Sequence, residues 1–115
     1  MTKTEREDLL NRWLARLRDP KSKQAHGFLQ YEEEDSYCCL GHLLCVMHDI
    51  RGGAVCLSPH AKRIGECLTD NFWQDFNIGI DQDTLTDLND GDGNLSEPLS
   101  LSEIADYIED HARID

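Results

Sequence analysis

Long hydrophobic runs are missing from this chain of 115 residues. None approaches the ~18 consecutive apolar residues that a membrane-spanning helix needs. Positive charge is scarce: 11 Lys and Arg stand against 23 Asp and Glu, for a formal net charge of −12. Phosphates repel so acidic a chain, so direct nucleic-acid binding is not expected. The opening Met1-Thr2-Lys3-Thr4-Glu5 lacks the apolar centre of a signal peptide, and secretion is not expected. There is no Cys-x-x-Cys knuckle, no phosphate-cradling glycine loop and no Gly-x-Ser-x-Gly elbow. No internal repeat or dividing linker is visible either. These absences leave a small, soluble, cytoplasmic domain over residues 1–115, with no cofactor called for and no membrane partner.

Hydrophobic residues make up 39% of the chain, enough for a modest core. Residues 4–18 read as an amphipathic helix. Thr4 and Glu7 have the spacing of a capping box, and Leu9, Leu10, Trp13, Leu14 and Leu17 recur at helical spacing. Asp19-Pro20 ends it, because a residue before proline avoids the α region. Phe28–Tyr31 reads as a strand, Glu32-Glu33-Glu34-Asp35 as a turn, and Ser36-Tyr37 as its return. Cys38 to Asp49 is apolar nearly all round, as a buried helix would be. Ala54–Leu57 fits a strand, and Ser58-Pro59 opens a helix through Leu68. Residues 70–88 follow no single period, although Phe72, Trp73, Phe76, Ile78 and Ile80 must bury against something. Ser100 and Glu103 form another capping box, opening a last helix with Leu101, Ile104, Ala105 and Ile108 inward. The expected fold is α+β and helix-dominated: N-terminal and C-terminal amphipathic helices packed around a central buried helix, with a small β-hairpin.

Charge is placed unevenly. Residues 1–30 carry a net +3 and residues 31–115 a net −15. Glu32, Glu33, Glu34, Asp35, Asp70, Asp75, Asp81, Asp83, Asp87, Asp90 and Asp92 form a candidate acidic surface for a basic protein partner. Solvation alone would also account for it. Arg12, Arg16, Lys21, Lys23 and His26 form a candidate anion-binding set on the first helix and the loop after it. Cations near a helix C-terminus also complement its dipole without any ligand.

Five cysteines (Cys38, Cys39, Cys45, Cys56, Cys67) form an odd set in a chain without a secretory signal, so reduced thiols are expected. Cys38, His42 and Cys45 fall at i, i+4 and i+7 and are the candidate zinc ligands, with His48, Cys56, His60 or Cys67 as a fourth. Core packing explains the same cysteines without metal. From Asp92, oxygen-bearing residues fall at Asn94, Ser96, Ser100 and Glu103, as in a calcium loop. Glu97 occupies the position that needs glycine, and the capping box already uses Glu103. Cys38 and His42 also have the spacing of a thiol and its base, but no orienting acid or oxyanion hole accompanies them, so no enzyme is expected.

Trp13-Leu14-Ala15-Arg16-Leu17, Lys21-x-Lys23-Gln24 and Tyr37-Cys38-Cys39-Leu40-Gly41 precede two later segments, Leu85–Asp90 and Ser102–Glu109. Together they resemble a widespread set of small tailed-bacteriophage proteins to which no activity is attached. The likeness covers about two-thirds of the chain and is poor over residues 46–80. This sequence departs from the pattern at His42, where a small aliphatic residue is usual, and at the insert Glu32–Asp35. The resemblance implies a phage origin and assigns no catalytic residue.

The expected function is therefore a non-enzymatic accessory protein that binds and inhibits a host protein in the cytoplasm of an infected bacterium. Its target would carry a basic surface, as a nucleic-acid-handling defence factor such as a CRISPR effector does, and the acidic face would act by electrostatic mimicry. One alternative is a nucleotide-signal binder that uses the basic helix and loop. Another is a zinc-stabilised interaction domain. Homodimerisation is compatible with all three.

Overall fold

Capping decides where the first helix begins. A computed structural model of the chain describes residues 1–24, 30–31, 36–51, 68–91 and 97–114. Helix α1 spans Lys3–Arg18, and its capping box is Thr2 with Glu5 rather than Thr4 with Glu7. Both pairs have the Thr-x-x-Glu spacing. The upstream one gains two residues, about half a helical turn, and lets Arg6 N–H bond Thr2 O at 3.0 Å. The helix ends with Asp19 as its C-cap, before Pro20. Leu9, Trp13, Leu14 and Leu17 are buried and Leu10 is half-buried.

Strands β1 (Gln30–Tyr31) and β2 (Ser36–Tyr37) pair antiparallel, Gln30 opposite Tyr37 and Tyr31 opposite Ser36. Gln24 adds an isolated parallel bridge to Tyr37. The expected turn at 32–35 lies outside the described residues, as do the strand at 54–57 and the helix opening at Ser58-Pro59. Two-residue strands have no core of their own. Among the described residues the fold is helix-dominated.

Helix α2 covers Cys39–Arg51. Cys39, Leu40, Leu43, Leu44 and Val46 are all buried, as an all-round apolar pattern requires. Residues 70–88, which lack one period, form two short helices, α3 (Asp70–Phe76) and α4 (Gln82–Asp90). Thr69 caps α3 by accepting from Phe72 N, and Asp81 caps α4 by accepting from Thr84 N. Between them Asn77 is left-handed (φ 44°) and Gly79 has φ +78°. That sharp turn buries Phe76, Ile78 and Ile80. Helix α5 is Leu101–His111, opened by the Ser100/Glu103 box and burying Leu101, Ile104, Ala105 and Ile108. Helix α1 packs on α2 and α5, while α4 packs on both of those. The radius of gyration is 13.3 Å, about that of a compact chain of this length.

Two polar side chains tie this core together. Arg6, 9% exposed, donates from Nε to Phe76 O at 2.7 Å and from Nη2 to Asn77 O. It supplies the C-terminus of α3 with positive charge and with donors for its last carbonyls. Asn89, 1% exposed, accepts at Oδ1 from Cys39 N (3.1 Å) and Gln24 Nε2 (3.0 Å), and donates from Nδ2 to Asp90 Oδ1 (2.7 Å). Gln24 Nε2 also donates to Leu99 O at 2.8 Å, and Trp13 Nε1 donates to Cys39 O at 2.9 Å. Trp13, Gln24, Cys39 and Asn89 thus meet in one network. Their work there is architectural.

Candidate functional site

The helix-terminating Asp19-Pro20 sequence also shapes the loop behind it. Asp19 Oδ1 accepts from Lys21 N at 2.9 Å, Ser22 N donates to Asp19 O at 3.0 Å, and Ser22 Oγ donates to Arg16 O at 2.6 Å. The Lys23 carbonyl accepts from Tyr37 N at 3.0 Å. A tightly held loop results, and it brings Arg16, Lys21 and Lys23 around one cleft of about 400 Å³ with Asp19, Ser22, Tyr37 and His42.

His42 organises this cleft. It is 1% exposed within an apolar helix, so both ring nitrogens need partners. Arg16 Nε donates to His42 Nδ1 at 2.9 Å, and His42 Nε2 lies 2.9 Å from the Lys23 carbonyl. A guanidinium can only donate, so Nδ1 accepts and Nε2 carries the proton; the imidazole is neutral. Tyr37 packs edge-on to the His42 ring with centroids 5.3 Å apart. The Arg16 guanidinium carbon lies 5.7 Å from the centre of the Tyr37 ring.

The candidate anion-binding residues are therefore divided. Arg16, Lys21 and Lys23 come together, whereas Arg12 is exposed and bonds Asp8 at 3.0 Å on its own helix. Arg12 and Arg16, four residues apart on α1, part company because the buried imidazole draws Arg16 inward. His26 lies outside the described residues. Tyr37 and His42 are additions to the set. The sequence signal for the second is an ionisable residue between Leu40 and Leu43 on a buried helix, which has to find a polar partner.

Of the acidic candidates, Asp70, Asp81 and Asp83 line a second cleft, about 730 Å³, with Leu68, Gln82 and half-buried Trp73. Trp73 Nε1 donates to Gln82 Oε1 at 2.7 Å, and its ring packs against Phe72 and Phe76. Asp70 and Asp83 lie in the first turns of α3 and α4, where carboxylates complement the helix dipole. Hydrogen bonds from Thr84 hold the Asp81 carboxyl below its usual value. Asp87 is exposed on α4, Asp75 meets the Met1 amino group, and Asp90 is half-buried against Asn89. Glu32, Glu33, Glu34, Asp35 and Asp92 lie outside the described residues.

Of the zinc candidates, Cys38, His42 and Cys45 are described, and they do not form a metal-holding group among the described residues. Among the described residues no three His, Cys, Asp or Glu side chains gather as a metal ion would require. Both nitrogens of His42 are engaged, and Cys38 Sγ accepts from Gly41 N at 3.4 Å. Cys56, His60 and Cys67 lie outside the described residues, as do Asn94 and Ser96 of the calcium spacing, while Glu103 serves the α5 cap. No helix among the described residues is long and apolar enough to cross a membrane. No family model matches the chain, nor does any curated protein or solved structure.

Proposed function

We propose that this chain is a non-enzymatic binding protein that covers a basic, nucleic-acid-handling surface of another protein with its acidic face. The observation that carries this reading is the cleft lined by Asp70, Asp81, Asp83 and half-buried Trp73. A cleft that offers both carboxylates and an aromatic ring suits an Arg or Lys side chain, which can gain ion pairing and a cation–π contact. The formal charge of −12 adds long-range attraction toward a basic partner. The resemblance to tailed-phage proteins supports a role in an infected bacterium, with a defence nuclease such as a CRISPR effector as the type of target.

The test uses the full chain as bait in bacterial lysate, beside an Asp70→Lys/Asp83→Lys variant that spares the Asp81 cap. The expected result is retention of a nucleic-acid-binding protein that duplex DNA displaces, that elutes as salt rises, and that the variant fails to hold. Equal retention by the variant, or a retained protein indifferent to competing DNA, would overturn the reading.

A further inference from the structure

The basic cleft lies outside the acidic face and has a chemistry of its own. Three cations, Arg16, Lys21 and Lys23, face one carboxylate, Asp19, in a chain that is otherwise strongly acidic. None of the three forms an ion pair within 4 Å among the described residues, although Arg12 and Arg18 both do. The helix dipole accounts for exposed cations at the end of α1. It does not account for Arg16, which is half-buried and held by Nε to a buried imidazole, leaving the far edge of its guanidinium without an acceptor among the described residues. Holding a guanidinium by Nε is how a fork of Nη donors is oriented for an oxyanion in advance. The loop carrying both lysines is fixed by Asp19, Ser22 and the Lys23 carbonyl, so little ordering would remain on binding. At about 400 Å³ the cleft falls within the range of small-ligand sites.

From this arrangement we infer that the cleft at the end of α1 binds a small phosphate-bearing anion, gripped by Arg16 and by Lys21 and Lys23, with His42 as the residue that positions Arg16. The shared chemistry is the phosphate group, which a nucleotide or free phosphate can supply.

Titration calorimetry and thermal shift of the full chain at low salt, with inorganic phosphate, AMP and ATP as separate probes, test the inference. The expected result is saturable binding of at least one probe with a matching rise in Tm. Binding of AMP or ATP with phosphate inert would assign the site to a nucleotide, and equal binding by phosphate would assign it to the free anion. Lys21→Ala/Lys23→Ala changes exposed side chains and should weaken binding by about ten-fold or more without altering the circular dichroism. Arg16→Lys keeps the charge and loses the fork, so it should also bind more weakly. Absence of saturable binding for all three probes up to about 5 mM, where even weak ligands shift Tm, would overturn the inference. So would full affinity in the double-lysine variant.

Discussion

Cys38 occupies the position before α2, where the helix dipole and the Gly41 N–H both favour a thiolate. Burial wins that contest. The thiol is pushed up from 9.0 to about 11, with loss of solvation as the largest cause, and burial drives the adjacent Cys39 up as well. A thiol whose folded value exceeds its unfolded one holds its proton more tightly in the native state. Its contribution to stability is complete below the unfolded value and is lost as pH climbs toward the folded one. Tm should therefore fall between pH 9 and about 11. Cys38→Ser, which keeps a capping group and removes the titration, should fall less steeply over the same window. Equal slopes for the two proteins would show that the alkaline loss arises elsewhere. Burial also sets the partners of His42: its Nδ1 accepts from Arg16 Nε, which fixes Arg16.

Among the elements, the Leu88–Asp90 end of α4 does more than its polarity suggests. Asn89 Oδ1 accepts from the first backbone N–H of α2, so a side chain on one helix caps another. Asn89→Ala would leave Cys39 N–H buried without this acceptor and deprive Gln24 of one of its two, at a cost of about 2–3 kcal/mol. Urea denaturation should show the midpoint falling with little change in slope. A loss under about 0.5 kcal/mol would mean that water replaces the amide. This contact also marks the limit of what sequence reading reaches. Helices α1, α2 and α5 are legible because a long apolar pattern overrides errors in any one residue. Helices α3 and α4 are too short for periodicity, at 7 and 9 residues, and rest instead on the Thr69 and Asp81 caps and the left-handed Asn77. The capping box of α1 slips by two residues because two overlapping Thr-x-x-Glu pairs compete. Lys21 and Lys23 could be placed beside Arg16 from the loop sequence, but Tyr37 and His42 reach the cleft through tertiary pairing. Arg6 meets its partners only when the chain returns 70 residues later with two carbonyls for it.

At the scale of the molecule, charge acts on folding and on association with opposite signs. A net charge of −12 is confined within extents of 35 × 33 × 28 Å. The described cross-helix pairing that relieves it is Arg18 of α1 with Asp106 and Glu109 of α5, an exposed cluster of the kind that contributes little. Near 0.01 M salt the screening length is ~30 Å, so carboxylates on opposite faces repel one another; near 1 M it is ~3 Å and they do not. Raising sodium chloride across this interval should therefore stabilise the fold by about 1 kcal/mol, or ~5 °C in Tm. A falling Tm would mean that the Arg18 pairs outweigh the repulsion. The same salt should weaken binding to a basic partner, because the charges that repel within the chain are the ones proposed to attract across the interface. Reversing two carboxylates, as in Asp70→Lys/Asp83→Lys, relieves repulsion but sets cations at the N-termini of α3 and α4, so it should abolish capture of the partner with little net change in Tm at low salt. A variant that loses both stability and binding would point to damage in α3 and α4 rather than to a lost interface. Measuring the two salt dependences on one preparation separates an acidic surface that recognises a partner from one that only keeps the protein in solution.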